Sequence, residues 1–299
     1  MSKRVIVLGA SGFIGRAIFD GFSKDRSFKT IGYSSKECNL LSYEAAQKAL
    51  SDITKDDVIV MAAAITRLKE NTVESMNKNI QMAENLAKVI LERPAAQVIY
   101  ISSIDVYGCL EENYKDKSLK INEQFALKPD DYYGTGKVKS ELLLRGQLSG
   151  KKIPLTILRL PGIYGVGDYG KSLISSFIKM ITQDGKICIY GDGKDKRDYL
   201  FAEDVYCAVK AAVGAKFDGA VNVVGGKSYS IIEIVEMIKS IAKCDCQVSF
   251  KPVKDVKNLR IRNLQFDNSL LCKVFPDLKI RELSKGIGVF LEQLKARKN

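Results

Sequence analysis

Short apolar runs alternating with helical patterns, a glycine-rich turn after the first run, and a loosening of this rhythm after Gly165 predict the fold class. It is α/β: a Rossmann-like doubly wound parallel sheet with a smaller C-terminal lobe. Residues 1–165 read as the sheet domain, with return segments near 197–224, and residues 166–299 mainly as a substrate lobe.

The elements follow in order. Arg4 to Leu8 is a buried-strand run, and Phe13 to Phe22 has helical spacing. Lys29 to Tyr33 reads as the second strand, Tyr43 to Leu50 as a helix, and Asp57 to Ala62 as the third strand. A long helix over Val73 to Leu91 precedes a fourth strand at Gln97 to Ser102. Such alternation means βαβ crossovers, and ligands of such sheets bind beyond the carboxyl ends of the strands. Glu111 to Asp130 is polar and loop-like. A helix over Tyr133 to Leu148 and a strand at Leu155 to Leu160 follow. Beyond them lie glycine turns at Gly165–Gly167 and Gly191–Gly193, a helix (Val205 to Val213), a strand (Ala220 to Val224) and a helix (Ile231 to Ala242).

The chain has 299 residues and a formal charge of +12, with 46% hydrophobic and 27% charged residues, an ordinary globular composition. It contains no histidine. That removes Ser-His-Asp and Cys-His catalysis, histidine-ligated metals and histidine proton relays. Seven scattered cysteines argue for free thiols in a reducing compartment, and Cys244-Asp245-Cys246 has nothing nearby to complete a metal site. No metal is expected. Val58 to Ile65 is the longest apolar run and is far too short for a membrane span, so a cytoplasmic protein without membrane insertion is expected. The lysines are dispersed rather than gathered in a basic stripe. Steering of small anionic ligands is therefore expected, not nucleic-acid binding.

Gly9-Ala10-Ser11-Gly12-Phe13-Ile14-Gly15 follows the first strand and opens the first helix. Glycines there permit a tight turn and close approach to a pyrophosphate, which the helix N-terminus attracts. An NAD-selective site places Asp or Glu at the end of the second strand for the ribose 2′-OH. Here that strand runs into Ser34, Ser35 and Lys36, with no acid before Glu37. Two hydroxyls and an ammonium suit a 2′-phosphate, so NADP (NADPH) is the expected cofactor and NAD the alternative.

Tyr133 and Lys137 are four residues apart, on one face of a helix. A neighbouring cation is expected to favour the phenolate and to lower the pKa of Tyr133 toward neutrality. Ser103, just past the fourth strand, can share the cleft and bond a substrate oxygen.

With these motifs the chain resembles the extended short-chain dehydrogenase/reductase family, specifically its NAD(P)-dependent nucleotide-sugar epimerases, dehydratases and reductases. The resemblance runs over essentially the whole length. Its further marks are Val58–Ala64, Ile101–Gly108, Glu141, Leu158–Gly165, Gly191–Gly193 with Arg197-Asp198-Tyr199, Asp204-Val205, and Phe266-Asp267. It implies Ser103, Tyr133 and Lys137 as the catalytic set, with Tyr133 and Lys137 also contacting the cofactor. It implies Ala62, Ala63 and Ala64 along the cofactor, Asn39 and Leu40 at the adenine, and Pro161 and Ile163 beside the nicotinamide. Ser103, Asp105, Arg197, Arg260 and Arg262 are the implied substrate residues. Tyr107 and Tyr164 read as packing residues, and Cys109 as structural. A homodimer acting on a nucleotide sugar is the implied assembly.

Departures from the family pattern narrow the reaction. Sugar dehydratases of this family carry an acidic pair directly after the Ser/Thr, whereas Ser103 is followed by Ile104 and Asp105. Isoleucine cannot protonate a leaving hydroxyl, so dehydration is not expected. Reduction coupled to a Cys/His epimerisation is closed by the lack of histidine. Gly162 replaces an Asn common in the family, weakening one substrate contact. The expected activity is NADPH-dependent reduction of the 4-keto group of a nucleotide-linked 6-deoxy or 3,6-dideoxy hexose, in bacterial surface polysaccharide synthesis. The alternatives are an NAD-retaining 4-epimerase and a non-catalytic dinucleotide sensor.

Overall fold

The computed structural model describes residues 2–108, 120–168, 170–252 and 264–297. The first strand is β1 (Lys3–Leu8), whose side chains alternate between two apolar layers. Val5 and Val7 enter one layer and Ile6 and Leu8 the other. The same division recurs in β3 (Val58–Met61), β4 (Gln97–Ser103) and β5 (Leu155–Leu160). Strands buried on both faces need helices on both faces, which explains their continuous apolar runs.

With β2 (Phe28–Tyr33) and β10 (Gly219–Asn222), these strands form a six-stranded sheet in the order β10-β5-β4-β3-β1-β2. Every pairing in it is parallel. One face packs against α2 (Tyr43–Ala49), α3 (Val73–Glu92) and α4 (Tyr132–Ser149). The other packs against α1 (Phe13–Lys24), α6 (Ala202–Ala215) and α8 (Ser269–Val274).

A third apolar cluster joins α5 (Leu173–Lys179), α7 (Ile231–Ala242) and α9 (Leu283–Ala296) with β7 (Lys186–Tyr190). Short ladders complete this part. β6 (Gly162–Tyr164) pairs with β9 (Tyr199–Phe201), β7 with β12 (Gln247–Lys251), and β8 (Lys196–Arg197) with β11 (Tyr229–Ser230). The apolar pattern predicts none of β6, β7, β8, β9, β11, β12, α5, α8 or α9. α6 also starts three residues before the expected Val205, at Ala202, with Glu203 and Asp204 in its first turn, where acids suit the helix dipole. No helix of the described residues is long and apolar enough to cross a membrane.

Candidate active site

The cradle is built by close backbone approach. Gly9 has φ +89, and a Cβ on it would lie 2.7 Å from the Ala63 nitrogen. A Cβ on Gly15 would stand 2.0 Å from the Gly9 carbonyl oxygen, so neither position admits a side chain. Ala62 donates its N–H to the Leu8 oxygen at 2.9 Å, bringing the Ala62–Ala64 segment beside the turn. α2, α3 and α4 each begin with a side-chain cap, from Ser42, Thr72 and Asp131. α1 begins at Gly12, which has no side chain to cap it, and has no acid in its first turn. The first-turn N–H groups at Phe13, Ile14 and Gly15 thus face the cradle with a positive helix end and no side-chain acceptor, which fits a pyrophosphate.

Beyond β2, Ser35 and Lys36 are exposed and Ser34 is half-buried. Glu37 curls back so that its Oε2 accepts the Ser34 N–H at 2.7 Å, which holds its carboxyl below the usual range. Although Glu37 lies beyond Lys36 in sequence, folding returns its carboxylate to the end of the strand. Asn39 accepts the Leu41 N–H at 3.1 Å, while Leu40 is buried and its carbonyl receives Asn85 at 2.8 Å. Pro161 is buried and Ile163 half-buried on β6.

Ser103 ends β4, and its Oγ accepts the Asp105 N–H at 3.1 Å, starting the 3-10 turn Ile104–Tyr107. α4 packs onto that turn, since a Cβ on Gly134 would be 2.5 Å from the Asp105 oxygen. A Cβ on Gly136 would be 3.3 Å from Met76 on α3. Two glycines in the first turns lower helix propensity but let α4 lie close enough to bring Tyr133 and Lys137 beside β4.

Lys137 is buried; its Nζ donates to the Ile101 oxygen at 2.7 Å and stands 4.7 Å from the Tyr100 ring centroid. It lies 5.7 Å from the Tyr133 ring centroid. Burial pushes its pKa down to about 8, against the raising fields of Glu141 and Asp105.

One expectation is corrected here. Burial, with the field of Asp105, holds the Tyr133 phenol above its ordinary value, not below it. The ammonium of Lys137 is directed at a main-chain carbonyl, and the cation that offsets this shift is Arg67.

Beneath Ser103 runs a buried polar chain that motif reading did not assign to the site. Ser102 Oγ bonds Glu141, and Arg159 forks onto Glu141 at 3.2 and 2.7 Å. Arg159 also donates to the Tyr107 hydroxyl at 2.8 Å, which donates to Asn222 at 2.8 Å. Tyr107 is thereby spent on structure. Tyr164 is buried too, its hydroxyl 3.4 Å from the Leu283 oxygen.

The loop after β3 was also missed. Arg67 Nη1 lies 3.6 Å from Asp105 Oδ1, and Asn71 Oδ1 accepts the Tyr133 N–H at 3.0 Å. No periodicity marks such a loop; only the fold brings it to α4. The field of Arg67 reaches Tyr199 as well as Tyr133. Tyr199 also accounts for Gly162, where a Cβ would meet its ring at 2.7 Å.

Arg197 is about one-fifth exposed and pairs at 4.0 Å with Asp195, on the ladder with Tyr229. Arg260, Arg262 and Cys109 lie outside the described residues. A groove of about 1220 Å³ opens beside the cradle between Ser11–Phe13, Gly167, Glu203 and Arg281, and is not lined by Ser103, Tyr133 or Lys137. No cluster of metal-binding side chains occurs among the described residues.

Comparison with known proteins bears on the family and the fold. A dTDP-D-glucose 4,6-dehydratase of Dictyostelium discoideum is 26% identical over 235 residues, covering 69% of this chain but only 54% of that protein. An uncharacterised UDP-glucose epimerase of Bacillus subtilis is 26% identical over 267 residues, covering 80% of this chain and 82% of its own. The structure of RMD from Pseudomonas aeruginosa complexed with NADPH shares the fold with a TM-score of 0.83 at 20% identity, over 98% of this chain and 99% of that one. The family model for the NAD dependent epimerase/dehydratase family matches residues 5–225, and to that family the chain belongs.

Proposed function

We propose that the protein reduces the 4-keto group of a nucleotide-activated 6-deoxy or 3,6-dideoxy hexose with NADPH, in the making of bacterial surface polysaccharide. The observation that carries this reading is the state of the acids around Tyr133. Asp105 is paired with Arg67, and Asp131 caps α4 through the Gly134 N–H at 2.6 Å. Ile104 stands where, by the family resemblance, a dehydratase carries an acid. What remains is a neutral phenol, the form that gives a proton in a reduction.

Gly9, Ser11, Gly12, Phe13, Ile14 and Gly15 would hold the pyrophosphate, with Ala62–Ala64, Pro161 and Ile163 along the rest of the dinucleotide. When bound, the reduced nicotinamide supplies a hydride. Ser103 accepts from the Asp105 N–H, so its own proton is available to the substrate carbonyl oxygen. Tyr133 completes the pair of donors and releases its proton as the alcohol forms. Lys137, cationic at neutral pH but bonded to the Ile101 oxygen, lends the phenolate left behind only a longer-range field, beside that of Arg67. Arg197 and Asp105 would bind substrate, and residues 166–299 would supply most of the substrate lobe. The same reading places the enzyme in the cytoplasm, where its cysteines stay reduced, and makes it a homodimer that takes a small nucleotide sugar rather than nucleic acid.

The test is NADPH oxidation against a panel of nucleotide-linked 4-ketosugars. Consumption with one of them is the expected result. A purified protein that carries bound NAD and interconverts C4 epimers without net NADPH use would overturn it. That second reading, a 4-epimerase, draws support from the Glu37 carboxylate folded back to the end of β2.

A further inference from the structure

The β3–α3 loop is clamped at two points. Buried Asn79 bonds both the N–H and the oxygen of Ile65, at 2.8 and 2.9 Å, and Asn71 receives the Tyr133 N–H at 3.0 Å. Between these clamps stands Arg67, with a side chain 36% exposed. Among the described residues it makes no hydrogen bond, only the 3.6 Å ion pair with Asp105. A guanidinium has five N–H donors, and one carboxylate oxygen leaves several of them unused. A long cationic side chain on a loop clamped at both ends is a preorganised donor.

We propose that Arg67 binds the hydroxyl on the sugar carbon next to the reacting one, so that the substrate is a 4-keto-6-deoxyhexose retaining its C3 hydroxyl and not a 3,6-dideoxy sugar. This rests on the reading of Tyr133 and Ser103 as the pair that holds the C4 oxygen. Arg67 shares its loop with the clamp on the Tyr133 backbone, and its partner Asp105 shares a turn with Ser103. Arg67 is thus tied to both residues that would hold the C4 oxygen, and the group assigned to it is a neighbour of C4. On one side, C5 carries a methyl group and the ring ether; on the other, C3 carries a hydroxyl. Asp105 cancels the charge of Arg67, and its buried carboxylate would repel a uronate or a phosphate, so the pair suits a neutral hydroxyl.

A site built to hydrogen-bond a hydroxyl discriminates strongly against the analogue lacking it, because its polar groups are then left unpaired. The experiment compares wild type, Arg67→Met and Arg67→Lys. Turnover is measured with NADPH on a nucleotide-linked 4-keto-6-deoxyhexose and on its 3,6-dideoxy counterpart. Calorimetric binding of the corresponding 4-hydroxy nucleotide sugars is measured with NADP bound. Wild type should favour the 3-hydroxy compound by about 10–100-fold in both readouts. Arg67→Met should abolish that preference by losing affinity for the 3-hydroxy compound alone, with NADPH affinity unchanged, while Arg67→Lys keeps part of it. Equal losses on both compounds, or no loss on either, would overturn the assignment. If no ketosugar is turned over, the reductase reading fails, and the binding arm still decides the role of Arg67. If none of the nucleotide sugars binds, both fall.

Discussion

Tyr133 receives little direct help from the cation one helical turn away, which is bonded to the Ile101 carbonyl. Its hydroxyl is kept neutral by burial and by Asp105. If that phenol is the proton donor, Tyr133→Phe removes one proton and one hydrogen bond while leaving the cradle untouched. Turnover should then fall by about 10²–10⁴-fold with NADPH affinity nearly unchanged. Stopped-flow reduction and a fluorescence titration with NADPH measure the two quantities separately, and a variant with near-normal rate would remove Tyr133 from the role. At this scale Ser103, Tyr133 and Lys137 are legible in sequence because fixed spacing on one strand end and one helix places them. Arg67 and Asn71 are not legible, because an irregular loop carries no period and their partners lie 38 and 62 positions away.

Among the elements, the turn after β2 is the one to which the proposed NADPH preference is assigned. Lys36 is exposed and Glu37 is bonded back onto Ser34, so opposite charges stand at one strand end. A 2′-phosphate gains from the first and is opposed by the second. Lys36→Glu should therefore weaken NADPH by about tenfold or more and leave NADH nearly unchanged, whereas Glu37→Gln should shift the ratio the other way. Isothermal titration with both cofactors checks this, and an unchanged NADPH affinity in Lys36→Glu would defeat the assignment of Lys36. The strands of the parallel sheet could be anticipated where apolar runs of four or more residues alternate with amphipathic helices. The ladders β6–β9 and β8–β11 escaped because strands of two or three residues are too short to show a period of two, and their partners are distant in sequence.

At the scale of the whole molecule, Asp198 ties the β8–β9 corner to the segment after β10. It sits between β8 and β9, is buried, and accepts the N–H of Gly225, beyond β10, at 3.4 Å. Its Oδ2 has no hydrogen-bond partner among the described residues, and burial raises its pKa from 3.8 to about 7. An acid whose pKa is raised in the fold is bound to its proton more tightly there than in the unfolded chain. Its contribution is fully present below about pH 4 and is lost as the pH rises through about 7. At 1.36 kcal/mol per pKa unit the loss amounts to a few kcal/mol, the order of magnitude of a domain's net stability. Glu123, half-buried and also raised, acts in the same direction. Asp57, held low by Arg4 and the Thr54 N–H, acts only at more acidic pH. Asp198→Asn keeps an acceptor for Gly225 but cannot ionise. It should flatten the fall in unfolding free energy between pH 5 and pH 8 without abolishing it, because Glu123 remains. Urea unfolding of both proteins at the two pH values measures that slope. An unchanged slope would mean that water or a rearrangement of the β8–β9 corner satisfies the Asp198 carboxylate once it is charged.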